Sequence, residues 1–105
     1  MVDRLQQLLA MRDKTPDKAI IWYGLAMEYR GRRSFPESLA AFARCRELEP
    51  GNVPAYFQAG LTLQEAGRTP EATAMLQEGI KVARQRGDHH AAQEMEGVLE
   101  SWAEG

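Results

Sequence analysis

The prolines of this sequence carry its strongest constraint, because Pro16 to Pro50 and Pro36 to Pro70 are each separated by 34 residues. A fixed period between about 20 and 50 residues marks a chain built from stacked copies of one supersecondary unit. Other residue classes keep the same offset. Trp22 stands opposite Tyr56, Ala26 opposite Gly60, Tyr29 opposite Leu63, Glu37 opposite Glu71, Ala40 opposite Ala74 and Phe42 opposite Leu76. One period earlier, Leu8 falls in register with Phe42 and Met11 with Cys45. Identity between the full copies is confined to Pro, Glu and Ala within 35–40 and 69–74, so residue class and spacing carry the signal.

Within each copy apolar residues recur at three and four, which is the period of an amphipathic helix and leaves strands without support. Ser34, with Pro36 in the first turn and Glu37 three residues on, reads as a capping box, and Thr69 before Pro70 and Glu71 as a second cap. Asp17 and Asn52 follow the repeated prolines and are placed to accept from the free amides of the next helices. Gly67 and Gly87 suit a left-handed stop. The pattern predicts six helices, over 2–13, 18–30, 36–48, 54–66, 70–86 and 89–103. Their short connections force consecutive helices to run antiparallel as neighbours.

This pattern resembles the tetratricopeptide repeat, a 34-residue helix-turn-helix with a W…LG…Y…A…F…A…P signature. The first full copy, 19–52, matches with Trp22, Leu25, Ala26, Tyr29, Ser38, Phe42, Cys45 and Pro50. The second, 53–86, matches with Tyr56, Ala59, Gly60, Leu63, Ala72, Leu76 and Gly79, but places Arg84 where the closing Pro should be, so its second helix is expected to run long. Residues 1–17 resemble the second half of a preceding copy and 88–103 a terminal capping helix. Glu94 takes the small-residue slot of that last helix, so its apolar stripe of Ala91, Met95, Val98, Leu99 and Trp102 sits in a shifted frame. The resemblance implies a single all-α domain, 1–105, of helix-turn-helix repeats stacked as a short right-handed superhelix. Ala26 and Gly60 would lie at helix crossings, with Trp22, Tyr29, Phe42, Tyr56, Leu63 and Leu76 filling the core around them. The terminal half repeat and helix would cover the apolar faces that a two-repeat stack leaves open.

Composition narrows the function. With 13 Lys+Arg against 15 Asp+Glu the formal net charge is -2, without the positive field of a nucleic-acid binder. No apolar run approaches the roughly 20 residues that span a bilayer, and the first residues enter an amphipathic pattern with no signal-peptide core. A cytoplasmic protein is expected. The one cysteine, Cys45, rules out an intrachain disulfide and a cysteine-based metal cage. Charge is unevenly spread. Arg30, Arg32, Arg33, Arg44 and Arg46 face only Glu37 in the middle of the chain. Residues 1–87 carry net +3, whereas the five acids from Asp88 on meet no Lys or Arg, giving -5. A solvated helix face accounts for the acidic tail; the sharper alternative is electrostatic steering between chains.

A second apolar set is surplus to the expected core. Tyr23 and Met27 in one copy, and Phe57 and Leu61 in the other, sit at i and i+4 and repeat at 34, with Arg30 and Gln64 one turn on. The resemblance implies that this face of the first helix of each pair lines a concave groove for ligand peptides. A terminal helix folded across the stripe, a foreign partner, and a second copy of the same chain are the three possible occupants. Chaperone-binding members of the family use Lys, Arg and Asn there to clamp a carboxylate. Tyr23 and Met27 occupy clamp positions here, so an apolar or helical ligand is expected instead.

Catalytic chemistry has no candidate. His89 and His90 are adjacent, so a helix points them about 100° apart, and His90 with Glu94 offers only two metal ligands. Asp88-His89-His90 reads better as a helix start. Cys45 fills a small-residue core slot with no base beside it. Neither a Gly-rich phosphate loop nor a Ser-centred elbow is present. The sequence therefore predicts a non-catalytic protein-interaction module without cofactor, an adaptor, scaffold or assembly aid. The alternative is a self-associating unit whose apolar stripe is a homodimer seam.

Overall fold

The computed structural model describes residues 2–105. It is all-α, with α1 Arg4–Lys14, α2 Ala19–Gly31, α3 Phe35–Leu48, α4 Val53–Glu65, α5 Thr69–Gln85 and α6 His89–Glu104, and no strand among the described residues. Each helix begins and ends within two residues of its expected bounds, and α5, at 17 residues, is the long one. No helix among the described residues is long and apolar enough to cross a membrane.

Several helix starts differ from expectation. Asn52 caps α4 by accepting from Ala55 N at 3.1 Å, and Asp88 caps α6 by accepting from Ala91 N at 3.1 Å. Ser34 does stand at the N-cap of α3, but its side chain makes no cap hydrogen bond. Its backbone pose matches that of Asp88, with ψ 71° against 74°, and the hydroxyl is one bond shorter than the carboxylate that spans the gap in α6. Thr69 is already the first residue of α5, behind Arg68, which holds Glu71 with its guanidinium. Lys18, not Asp17, precedes α2, without a side-chain cap. A full capping box does occur at the start of α1, where Asp3 accepts from Gln6 N at 2.9 Å and Gln6 Oε1 accepts from Asp3 N at 3.3 Å.

The contacts of the chain group into two compact units, one ending at Pro50 and the other beginning at Gly51. In the first, α2 packs on both α1 and α3. Connections of three and four residues make these neighbours antiparallel. Ala26 is fully buried at the α2–α3 crossing, where Ser38 Oγ donates to the Ala26 carbonyl at 2.7 Å. Leu25, Phe42 and Cys45 complete the buried centre, and the Tyr23 ring meets Phe42 edge-on at 6.0 Å. Trp22 and Tyr29, expected in this core, are only half-buried. Trp22 instead fastens the α1–α2 turn, donating from Nε1 to the Pro16 carbonyl at 2.7 Å beneath the Arg12 guanidinium.

In the second unit α5 packs on both α4 and α6. Gly60 meets Leu76 and the Ala72 carbonyl so closely that a Cβ there would lie 2.8 Å from Leu76 Cγ. Val53, Tyr56, Leu76, Ile80, Val82, Ala83, Ala92 and Met95 form one cluster drawn from all three helices, with Ala91, Val98, Leu99 and Trp102 against it. The last helix is therefore part of this core.

Candidate functional site

On α2 the predicted residues Tyr23, Met27 and Arg30 recur at i, i+4 and i+7, on one helical face, and all three are half-buried. Tyr23 contributes to packing through its contact with Phe42, and burial raises the pKa of its hydroxyl. On α4 the corresponding face carries Phe57 and Leu61, half-buried, and Gln64, exposed. Phe57 is not surplus to the core as expected, because it packs against the cluster of its own unit.

The same face is a packing face on α6. Two periods beyond Tyr23, Met27 and Arg30 stand Ala91, Met95 and Val98, which lie in or against that cluster. A stripe in this register is thus suited to covering by a helix, and on α6 it is covered from within.

On α2 the stripe extends toward the N-terminus through Ile20, which is 76% exposed. Ile20 borders an open cleft of about 330 Å³ between α1 and α2, lined by Arg4, Leu8, Met11, Ile20, Ile21, Tyr23 and Gly24. Gly24 allows the two helices to close over Leu8, since a Cβ at this position would meet Leu8 Cδ2 at 3.1 Å. Met11 is 50% exposed beside it, and Val2, just ahead of α1, 56%. Arg4 is the only charged residue of the lining, and its guanidinium Nε sits 3.8 Å from the Glu28 carboxylate. Such a surface offers dispersion and apolar burial with one cation at its edge.

Ile20 was not singled out from the sequence, and Met11 was named only as the register mate of Cys45, whose burial it does not share. The signal for Ile20 was present, three residues before Tyr23 on the same face, but its repeat counterpart is Pro54, and a stripe defined by residues apolar in both copies passes over it.

The remaining candidates fall outside any such surface. Cys45 is fully buried, and burial first, then the Glu49 charge, raises its pKa, which keeps the thiol protonated at neutral pH. His90 Nε2 lies 2.9 Å from Glu94 Oε1 on the exposed side of α6. No group of three or more His, Cys, Asp or Glu placed to hold a metal ion occurs among the described residues.

No protein-family model matches the sequence, and no curated protein matches it either. Among solved structures, the solution structure of a protein from Bordetella parapertussis matches with a TM-score of 0.87, covering 99% of this chain and 90% of its own, at 24% sequence identity. The chain therefore shares its all-helical fold with that bacterial protein.

Proposed function

We propose that this chain is a non-catalytic protein-interaction module of the tetratricopeptide type, acting in the cytoplasm and binding a peptide or helix through an apolar concave groove. The observation that carries this reading is the exposure of Ile20 on α2, a helix whose opposite side is packed in the core, together with Met11 of α1 across the same cleft. Water-exposed aliphatic side chains grouped around a cleft are what contact surfaces retain. The 34-residue period and the helix pairs that follow it support the family reading.

Selection of peptides from a displayed library against the purified chain tests the proposal. Enriched peptides should be rich in apolar residues, and the double variant Met27→Ser, Leu61→Ser should lose them while keeping its helical circular dichroism. Enrichment unaffected by the double variant would overturn it. A tight dimer that takes no peptide, and that the same variant dissociates, would establish the apolar stripe as a homodimer seam.

A further inference from the structure

The two units contain the same helix pair in different company. By the 34-residue register, applied twice, α1 corresponds to α5 and α2 to α6: Arg4, Leu8 and Met11 fall on Ala72, Leu76 and Gly79, while Tyr23, Gly24 and Met27 fall on Ala91, Ala92 and Met95. In the second unit that pair carries a third helix. Gly60 of α4 seats on Leu76 and Ala72, and Tyr56 of α4 and Met95 of α6 both close on Gly79 of α5. Val53 and Phe57 of α4 join the same cluster. In the first unit the corresponding seat is the α1–α2 cleft.

Burial records the difference. Leu76, Gly79 and Met95 are buried, whereas their counterparts Met11 and Met27 are half-exposed and half-buried, and only Leu8 is buried, by α2. The charge differs too. Ala72, which admits the backbone of α4 at close range, is replaced by Arg4, whose side chain is 67% exposed although its Nε lies 3.8 Å from the Glu28 carboxylate. No carboxylate lines the cleft itself, and the turn at the end of α1 carries Lys14 and Lys18 with Asp17 between them.

We infer that the α1–α2 cleft is the seat of a partner's amphipathic helix of the α4 kind, carrying a carboxylate opposite Arg4. This rests on the proposed interaction function and names its site and partner class. The incoming helix sets apolar side chains at the Val53, Tyr56 and Phe57 positions against Met11, Ile20 and Tyr23. Its acid stands where α4 has Gly60, and the longer Arg4 holds that helix further out than Ala72 holds α4. Apolar anchors give affinity, and the single ion pair sets register and orientation.

The test uses synthetic peptides of the α4 sequence, 53–65, capped at both ends, with Gly60→Glu or Gly60→Lys, titrated into the isotope-labelled full chain. Both substitutions favour the helix, so their difference reads charge at that position. The Glu peptide should produce saturable amide shifts at Met11, Ile20, Tyr23 and Gly24 and bind about tenfold more tightly than the Lys peptide. Arg4→Glu should reverse that order, and Ile20→Asp should abolish both. These side chains are exposed, so circular dichroism should stay that of the parent; if Arg4→Glu fails to fold, Arg4→Gln should erase the difference between the peptides. Equal affinities of the two peptides, shifts centred on Leu76 and Met95, or no saturation up to about 1 mM would overturn the inference. Shifts confined to Phe57 and Leu61 would overturn it too, while leaving the broader interaction function standing.

Discussion

The hydroxyl of Ser38 and the carbonyl of Ala26 meet at 2.7 Å in a fully buried crossing of α3 over α2. The pair occupies the slot that Ala72 and Gly60 fill in the second unit, so the first unit adds a polar bond where the second relies on close approach alone. A serine fits here because its Oγ adds little volume and its proton is satisfied by a carbonyl already engaged in the helix.

Replacing Ser38 with Ala should therefore destabilise the chain only modestly, by about 1 kcal/mol, through loss of one buried hydrogen bond. Ser38→Val adds volume at the crossing without a donor and should cost about 1 to 3 kcal/mol. Urea unfolding of the two variants checks the order; a Val variant as stable as the Ala variant would mean that the crossing is loosely packed.

At Gly60 even one methyl group overpacks. Gly60→Ala ordinarily gains helix stability, but its Cβ would press into Leu76, so a net loss of about 1 to 3 kcal/mol is expected in thermal unfolding. The double variant Gly60→Ala, Leu76→Ala should recover part of that loss relative to Leu76→Ala alone, because the space vacated by Leu76 accepts the new methyl.

Arg33 has φ 60°, in the left-handed region, at the end of α2. Ser34 N donates to the Tyr29 carbonyl there, as Arg68 N does to Leu63 and Asp88 N to Ala83 after Gly67 and Gly87. Its guanidinium lies over the Phe35 ring at 5.0 Å, which repays part of the backbone strain. Arg33→Gly should leave the melting temperature unchanged or raised, whereas the β-branched Arg33→Val should destabilise by about 1 to 2 kcal/mol.

The α1 cap responds to acid. The hydrogen bond from Gln6 N, with help from Arg32, holds the Asp3 carboxyl below its usual range. A lowered folded pKa means that the cap is intact above the ordinary aspartate range and is lost as pH falls through the folded value. Hydrogen exchange at the Gln6 amide, corrected for its intrinsic pH dependence, should lose protection only below the ordinary range. Asp3→Ala should remove that protection at every pH, and Asp3→Asn should keep it through acid, because the amide oxygen still caps but does not titrate.

The helices were legible because each is bounded by local chemistry that the 34-residue period repeats. The small residues at 26 and 60 were legible for the same reason, since two crossings at one offset demand two small side chains. What the sequence concealed depends on reach and company. Ser34 and Thr69 have cap chemistry, but the Ser34 hydroxyl is too short for a backbone pose that Asp88 caps, and Thr69 falls one residue inside its helix. Arg33 takes a glycine's conformation because the closing hydrogen bond imposes it. Trp22 fills the aromatic slot of the repeat signature and was expected in the core for that reason, yet a carbonyl at Pro16 holds its indole nitrogen at the turn. Of the candidate site, the residues Tyr23, Met27, Phe57 and Leu61 followed from spacing. That Phe57 packs inward and Ile20 stands in water did not, because periodicity tells which side chains share a face and not which faces find a neighbour.

Met95 lies fully buried with its sulfur above Gly79, where a methyl group on the glycine would come within 2.8 Å. Oxidation to the sulfoxide would add a polar oxygen for which this fit leaves no space. Peroxide reaches that sulfur only when the second unit opens, while Met11, half-exposed, is attacked in the closed state. The ratio of the two oxidation rates is thus a built-in clock for the opening of the second unit, and each molecule oxidised at Met95 is one that closes again less well.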